Sequence, residues 1–470
     1  MNKYCGSSWG TNVSVGADPH WGCLAAYLRQ CRRASGGTLL AAAALTVVIA
    51  NAANAQTTAA APPMPSAQIF YSNIQSLSDV AAIAQNDPRP TSTDGALQIA
   101  DWLVFGNLAV GGAYDSNVTL SPSNPITAYG VRLTPNVIAE YNTGIQRTFI
   151  YGTGDFRYYP SIGNTQIWNS AAGILHIWEI ERGFIFRAQA QVADGVSPLG
   201  YTNIGNNAVV AIEPVQATSL YGSASIQRDV GLFFTALGGS VTHQMFSDTQ
   251  TVDTNISVPE SYRDGTTAIV SGRFGYNVTP LVYAFVEPSI NTANYDNSSL
   301  NSDGYQVIAG LGSTRIGLMN GEVYGGFFNQ HFQDQSIAPL TEPVYGGRLS
   351  YFPTRFLTFT ATVTQAVATS DYNTRAFLPG SITYTNTSAL SARWDITRSI
   401  TLDGAFQYSH WEYLGSTLVQ DFWTGSADIT YWFTPKFGLT LNYSHIIADS
   451  NIVGGNYTDN FVSVGGKARF

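Results

Sequence analysis

The sequence predicts an all-β fold: a transmembrane, antiparallel, up-and-down β-barrel of about 18 strands, with about 16 as the next count to consider. Three observations predict it. From residue 103 onwards, segments with alternating apolar and polar side chains follow one another to the end of the chain. The connections between these segments alternate between long and short. Only 11% of the residues are charged although 44% are hydrophobic. Soluble proteins average roughly 25% charged residues, whereas lipid-facing strands exclude charge.

Residues 1–55 are predicted to be a signal peptide with an unusually long leader. A basic region precedes an apolar run from Thr38 to Ala50, and the small-residue cleavage site Ala53-Asn54-Ala55 follows. The alternative, a membrane anchor, is disfavoured because the run is too short to span a bilayer. The basic residues are Arg29, Arg32 and Arg33.

All three cysteines of the chain (Cys5, Cys23 and Cys31) precede the predicted cleavage site. The mature chain is therefore expected to have no disulfide and no cysteine-based metal site.

Residues 56–98 are predicted to be a periplasmic arm rich in Ala, Pro, Ser and Thr. The arm contains five prolines and lacks sustained periodicity, which is typical of a linker. The alternative is that it folds into the barrel as a small plug. The barrel itself is predicted to comprise residues 99–470.

Eighteen segments are predicted to be barrel strands, and each is close to the ~9–11 residues that a tilted strand needs to cross a bilayer, or somewhat longer. They are 103–114, 127–141, 146–159, 167–180, 184–194, 217–228, 231–246, 262–276, 281–294, 304–316, 321–333, 344–352, 356–369, 381–394, 399–412, 421–433, 437–447 and 460–470.

The connections between the strands predict the orientation of the barrel. Short turns on the periplasmic side and long extracellular loops are the pattern of outer-membrane barrels. The longest outside connection runs from Gly195 to Gln216. Long loops in compact proteins are often functional, so this one is a candidate for an inward-folded constriction.

Side-chain alternation separates a lipid-facing phase from a lumen-facing phase in the clearest strands. In the segment 356–369, Leu357, Phe359 and Ala361 alternate with an unbroken row of threonines. Aromatic residues cluster at strand ends, as in Tyr431-Trp432-Phe433, and this placement is typical of the two interfacial girdles of a membrane barrel.

The polar phase of each clear strand gives the candidates for residues that line the lumen and influence selectivity. Charges of both signs on a wet wall orient and sort small solutes. The alternative for each residue is a structural pair with a neighbouring strand. The charged candidates are Arg132, Glu140, Arg147, Asp155, Arg157, Arg187, Arg273, Glu287, Arg393, Asp403, Asp428, Lys467 and Arg469, and the neutral ones are Gln189, Gln191 and Gln407.

Acidic residues predicted to lie in loops, Asp115 and Asp459 among them, are scattered singly. They could bind Ca²⁺ weakly, but they lack the clustered oxygen ligands of a dedicated site. The preferred interpretation is that they are solvated loop ends.

No feature of the sequence predicts an enzyme, a metal site or a cofactor. The histidines lack a metal-ligand spacing such as HExxH, and there is no G-x-S-x-G. Ser409-His410 and Ser444-His445 are adjacent in strands, so their side chains point to opposite faces. The formal charge of −9 gives no reason to expect nucleic-acid binding.

Short motifs in the order found here resemble the putative beta-barrel porin 2 family of bacterial outer-membrane proteins over about residues 100–470. They are Tyr114-Asp115-Ser116-Asn117-Val118, Ala284-Phe285-Val286-Glu287, Asn294-Tyr295-Asp296, Gly304-Tyr305 through Gly310, and Tyr443-Ser444 with Asp449-Ser450-Asn451. The resemblance implies an outer-membrane barrel presumed to be a porin, with no known substrate and no catalytic residues.

The function expected from the sequence is passive diffusion of small polar solutes or ions through a barrel in the bacterial outer membrane. The terminal Phe470 is predicted to be the signal for the barrel-assembly machinery, and outer-membrane lipid is the other expected partner. The alternative is a non-conducting or plugged barrel with a role in surface structure or polysaccharide export.

Overall fold

The computed structural model describes residues 97–120, 124–162, 165–196, 201–204, 207–210, 215–250, 257–258, 261–370, 381–451 and 456–469. The predicted signal peptide, nearly all of the predicted arm, and Phe470 lie outside the described residues.

Eighteen strands of 13 to 17 residues form one sheet. They are β1 (Trp102–Asp115), β2 (Ala128–Asn142), β3 (Gln146–Tyr159), β4 (Thr165–Glu181), β5 (Phe184–Val196), β6 (Gln216–Val230), β7 (Phe233–Phe246), β8 (Gly265–Thr279), β9 (Val282–Tyr295), β10 (Ser302–Ile316), β11 (Met319–Phe332), β12 (Leu340–Thr354), β13 (Leu357–Ser370), β14 (Ser381–Thr397), β15 (Ile400–Tyr413), β16 (Val419–Trp432), β17 (Phe437–Ser450) and β18 (Tyr457–Arg469).

Each strand pairs antiparallel with the next along the chain, and β1 pairs with β18. The closing ladder runs from Asn107↔Arg469 to Asp115↔Phe461. The barrel is therefore closed, and the prediction of about 18 strands is confirmed. One short strand, Leu97–Ile99, precedes β1 and pairs with its first residues.

The connections give the barrel a short-turn end and a long-loop end. Two of the long connections carry small hairpins of their own: Tyr201–Ile204 pairs with Asn207–Val210, and Thr249–Gln250 pairs with Ser257–Val258. The predicted constriction loop, Gly195 to Gln216, contains the first hairpin. The side chains of residues 196–214 lie outside the described residues, so the prediction of inward folding stays a prediction.

Three predicted strand starts were wrong by three or four residues, and the last strand begins at Tyr457 instead of 460. The eighth strand begins at Gly265 instead of 262 because Ser261–Arg263 form a turn of 3₁₀ helix. The twelfth begins at Leu340 instead of 344. The sequence gives no apolar–polar alternation between Leu340 and Pro343. Proline is usually found at strand edges or bulges, so Pro343 also argued against a strand there. The reason that a proline is tolerated in β12 lies in its interrupted pairing with β13, which is described below.

The two faces of the wall have opposite chemistry. Val464, Phe406 and Leu390 are at least half exposed, at 56%, 52% and 50%. Their chain neighbours point to the other face, and each of the three has a polar neighbour: Ser463, Gln407 and Ser391. An apolar outer face and a polar inner face are what a barrel in lipid requires.

Among the described residues, no helix has the length and hydrophobicity that a membrane-crossing helix needs.

We predict that a charge placed on the outer face lowers the stability of the barrel in lipid. Phe406 lies outward in the middle of β15. The change Phe406→Lys is expected to reduce the free energy of unfolding in phospholipid vesicles by about 2–4 kcal/mol, the cost of a cation at the bilayer midplane. Urea unfolding followed by tryptophan fluorescence measures it.

The matched control is Gln407→Lys, one residue further on and on the inner face. This change is expected to cost less than about 1 kcal/mol because the new ammonium group stays hydrated. Equal losses for the two variants would mean that the faces have been assigned wrongly.

Candidate functional site in the barrel lumen

The inward direction of the polar phase follows from contacts between strands that are not neighbours. The Arg132 guanidinium on β2 donates to Asn442 Oδ1 on β17 and to Ser463 Oγ on β18, each at 3.0 Å. Strands lie ~4.8 Å apart, so β17 is roughly 14 Å from β2 along the wall. Only the concave side of a barrel brings such distant side chains together.

The first group of inward charges lies at the closure of the barrel, and we call it the closing cluster: Arg132, Asp155, Arg157 and Phe461. Arg132 donates to both carboxylate oxygens of Asp155, at 2.7 and 3.1 Å. Arg157 donates to Asp155 Oδ2 at 2.8 Å. Both guanidinium groups lie over the Phe461 ring, 5.2 and 3.9 Å from its centroid. The cluster therefore ties β2 and β3 to the last strand.

The connection after β1 folds inward, and we call Ser116–Leu120 the inward loop. The backbone N–H of Asn117 donates to Asp115 Oδ1 at 3.1 Å and to Asp459 Oδ1 at 3.0 Å. The Ser116 hydroxyl donates to the same Asp459 oxygen at 3.0 Å. The first of the motifs that carry the family resemblance, Tyr114 to Val118, is thus the segment that joins the first loop to the last strand.

The end of the inward loop is held by apolar packing. Val118 is buried, and Leu120 packs against Ile446 of β17 with Tyr457 of β18 alongside. Leu120 has a φ of 50°, a left-handed conformation that costs a non-glycine residue about 1–3 kcal/mol. Burial of its side chain offsets that cost.

A second group of inward charges, the arginine–glutamate cluster, lies on β8 to β11 and consists of Arg273, Glu287 and Glu322. Arg273 pairs with Glu287 on the next strand and, at 2.9 Å, with Glu322 three strands away. The Tyr283 hydroxyl donates to Glu322 Oε1. The guanidinium lies 4.3 Å above the centroid of the Phe285 ring. Two carboxylates share Arg273, and Arg348 of β12 is the ladder partner of Glu322.

A third pair lies nearer the short-turn end. Glu140 is 1% exposed and lies 3.6 Å from Arg147. The Arg147 guanidinium is 5.1 Å from the centroid of the Phe149 ring, and Phe149 belongs to an apolar cluster with Ile138. This part of the inner wall is therefore a mixed apolar and ionic surface, not a purely polar one.

The remaining predicted lumen residues also lie on the inward phase but are less buried. Arg187 donates to Gln227 Oε1 at 3.0 Å. Arg393 lies 3.7 Å from Asp403, its partner in the ladder.

Three further candidates lie on the last strands. Asp428 accepts hydrogen bonds from Thr430 and Thr440. Arg469 lies 4.1 Å above the centroid of the Trp432 ring, and Lys467 shares its phase on β18. The structure brings seven of the thirteen charged candidates into the three buried groups and leaves the other six spread around the wall.

Sequence reasoning missed several members of these groups. Glu322 was omitted because β11 alternates poorly. Asp115 and Asp459 were predicted to be solvated loop ends, and this prediction was wrong: they are 3% and 2% exposed and anchor the inward loop. Phe461 gave no signal, since an inward aromatic breaks the polar phase of its strand.

Among the described residues, no group of His, Cys, Asp and Glu side chains is arranged to hold a metal ion.

We predict that the closing cluster is a main determinant of barrel stability. The change Asp155→Asn removes the carboxylate that neutralises two buried guanidinium groups, and loss of one partner from a buried ion pair costs about 3–5 kcal/mol. The free energy of unfolding in detergent, or the temperature at which the folded gel band disappears, measures the loss.

Asp403→Asn is the control for this prediction. The Asp403 side chain is 41% exposed, and an exposed ion pair contributes about 0–1 kcal/mol. If both variants lost the same stability, burial would not set the strength of the closing cluster.

Comparison with solved structures finds siderophore receptors at low similarity. The chain is 8% identical to the ferric enterobactin receptor PfeA from Pseudomonas aeruginosa, over 78% of this chain and 80% of that one, with a TM-score of 0.37. It is 7% identical to the siderophore receptor PirA from Acinetobacter baumannii, over 78% and 80%, with a TM-score of 0.37. Similarity at this level supports no functional inference.

Comparison with curated proteins finds no match to the sequence. Comparison with protein families is more informative. The family described as "Putative beta-barrel porin 2" matches residues 90–470. The match includes all eighteen strands, the closing cluster and the arginine–glutamate cluster, and it confirms the resemblance noted in the sequence. The chain belongs to the putative beta-barrel porin 2 family.

Proposed function

We propose that the barrel is a channel of the bacterial outer membrane for passive diffusion of small hydrophilic solutes. The observation that carries the proposal is the closed ring of eighteen strands. A barrel of about 8 strands fills its interior with side chains, whereas 16–18 strands leave room for an aqueous channel.

The charges on the inner wall support diffusion of polar solutes over transport of apolar ones. Arginine and acidic side chains of both signs lie on the inward phase. Their field orients solutes without transforming them, and no enzymatic activity is proposed.

A second candidate function is a plugged barrel with a structural or polysaccharide-export role. The inward loop favours it, because Val118 and Leu120 occupy space on the lumen side of the closing strands. The predicted arm, residues 56–98, would be a second obstruction if it entered the barrel.

Export through a cleaved signal peptide is part of the proposal, as are assembly by the barrel-assembly machinery through Phe470 and contact with outer-membrane lipid. The amino-terminal sequence of the protein recovered from outer membranes tests the cleavage, which is expected after Ala55.

Single-channel conductance in a planar bilayer tests the diffusion channel. We expect discrete, high-conductance steps from the mature chain that begins at Gln56. A second chain that begins at Gly95 keeps the short strand Leu97–Ile99 but lacks the arm. Conductance by the second chain alone would mean that the arm is a plug.

Silence from both chains, with folding verified by the heat-dependent shift of the gel band, would contradict the diffusion channel. That outcome would leave the structural or export role as the better hypothesis.

Ion selectivity is expected to respond to the inward lysine on β18. Lys467 lies on the inward phase of β18, so its charge faces the lumen. The change Lys467→Glu is expected to raise the ratio of K⁺ to Cl⁻ permeability, measured from the reversal potential in a salt gradient. Lys436→Glu, in the short turn before β17, is the control and should shift the potential less. An equal shift for the two variants would count against a selective role of the inner wall.

A further inference from the structure

The wall of the barrel is interrupted between β12 and β13. The ladder between these strands ends at Gly347↔Val363, although β12 continues to Leu340 and β13 to Ser370. Over the same length, β12 stays paired with β11 and β13 stays paired with β14. The upper parts of β12 and β13, nearest the long-loop end, are therefore separated from each other, while each stays paired with its other neighbour.

The exposure of side chains along β14 shows on which side of the wall the upper part of this strand lies. Leu390 and Trp394, on the outward phase, are 50% and 44% exposed. Ile382 and Tyr384 share that phase, yet they are 2% and 7% exposed. Thr383, between them on the inward phase, is 1% exposed. Both faces of the upper part of β14 are thus covered.

The side chains that cover Tyr384 come from the inner face of the preceding strands, whereas Ile382 is covered at the long-loop end, where it clusters with Leu300 and Ile337 of the connections. Tyr384 lies 5.7 Å, ring centroid to ring centroid, from Phe328 of β11. It belongs to one apolar cluster with Phe328 and with Val344 of β12, and Val367 of β13 packs against that cluster. Phe328 and Val344 are on the inward phase, because Phe327 and Tyr345 beside them are 47% and 55% exposed.

The upper parts of β13 and β14 therefore lie inside the barrel, rolled behind β12. We call residues Gln365–Val367 and Ile382–Thr385 the inner flap. The overlap ends at β15, where Glu412, the ladder partner of Tyr384, has a side chain that is 51% exposed.

At the separated edge of β12, a side chain replaces one of the backbone hydrogen-bond partners that β13 would supply. The backbone N–H of Tyr345 donates to Gln365 Oε1 at 2.8 Å, in place of a carbonyl of β13. Pro343, two residues earlier, directs its backbone to the same side and has no N–H to donate. This is why a proline is tolerated in the middle of the sheet.

We propose that the inner flap is the element that sets the opening of the channel: it narrows the lumen at the long-loop end, and solutes pass when it swings back toward β12. The inference rests on the proposed diffusion function and adds to it the element that determines which solutes enter.

The chemistry of the flap suits both positions. Its outward phase carries Val367, Ile382 and Tyr384, which are compatible with lipid when the flap lies in the wall. Gln365 shares this phase, and in the inner position its side chain accepts the backbone N–H of Tyr345. Its inward phase carries threonines, among them Thr383 and Thr385, which are compatible with water in either position. The inner position is held by apolar contacts, and the wall position would regain ladder hydrogen bonds, so each state has its own stabilising interactions.

Cross-linking across the overlap tests the proposal. The full chain, with its three native cysteines replaced by serine, carries Phe328→Cys and Tyr384→Cys and is treated with a short bis-methanethiosulfonate reagent. Efficient cross-linking is expected, because the overlap brings the two side chains together. In a continuous wall, they would lie on opposite faces and three strands apart. Failure to cross-link would overturn the overlap.

The conductance of the cross-linked channel tests the role in opening. We expect conductance to fall at least five-fold and to return when the link is reduced. The control pair is Asn320→Cys with Ser350→Cys, ladder partners on β11 and β12 that lie outside the flap's apolar cluster; cross-linking this pair does not bridge the overlap and should leave conductance unchanged. Full conductance of the flap-locked channel would overturn the proposal. Silence of the channel before any cross-linking would contradict the diffusion function itself.

A substitution that loosens the flap should act in the opposite direction. Phe328→Ala removes apolar packing from the inner position, and a core truncation of this kind is large enough to raise the open fraction roughly ten-fold or more. Phe327→Ala, on the outer face of the same strand, is the matched control and should change the open fraction little. An unchanged open fraction in Phe328→Ala would count against the flap as the gate.

Discussion

A β-sheet in lipid cannot have an unpaired edge strand, because each backbone group without a hydrogen-bond partner costs several kcal/mol there. The pairing of β1 with β18 satisfies this constraint, and the rest of the barrel depends on it. The ladder places Gly111 opposite Gly465, and a Cβ at Gly111 would collide with the carbonyl of Val464. The closing cluster then supports the ladder from inside, since Arg132 and Arg157 both pack on Phe461 of the last strand.

The same constraint explains the form of the interruption at β12. If the two strands simply parted, both edges would face lipid. Rolling the upper parts of β13 and β14 inward keeps their backbone within protein and covers it with aromatic side chains such as Phe328 and Tyr384. Backbone without a ladder partner is tolerated at membrane depth where it is buried in protein or lines a water-filled cavity.

The sequence predicted the parts of this structure that repeat. Alternation of side chains placed all eighteen strands to within a few residues, and it assigned residues such as Arg273 and Glu287 to the inner face, because the strand period is local. It did not predict which inward residues meet. The pairing of Arg273 with Glu322 depends on the curvature of the wall over three strands. Alternation also did not predict the burial of Ile382 and Tyr384, since a lipid-facing side chain and one buried behind a neighbouring strand have the same apolar character.

The inward loop has a consequence for how the chain reaches its native state. Asn460 donates to the Ser116 hydroxyl across 344 positions of sequence, and Asp459 receives the backbone N–H of Asn117. Contacts between such distant segments form late, because the entropy of closing the intervening chain must be overcome first. Until the last strand docks, the first loop lacks its hydrogen-bond partners, and the apolar contact between Leu120 and Ile446 is not complete. The first loop can therefore adopt its final conformation only in a barrel whose last strand is in place, which couples its folding to the completion of the sheet.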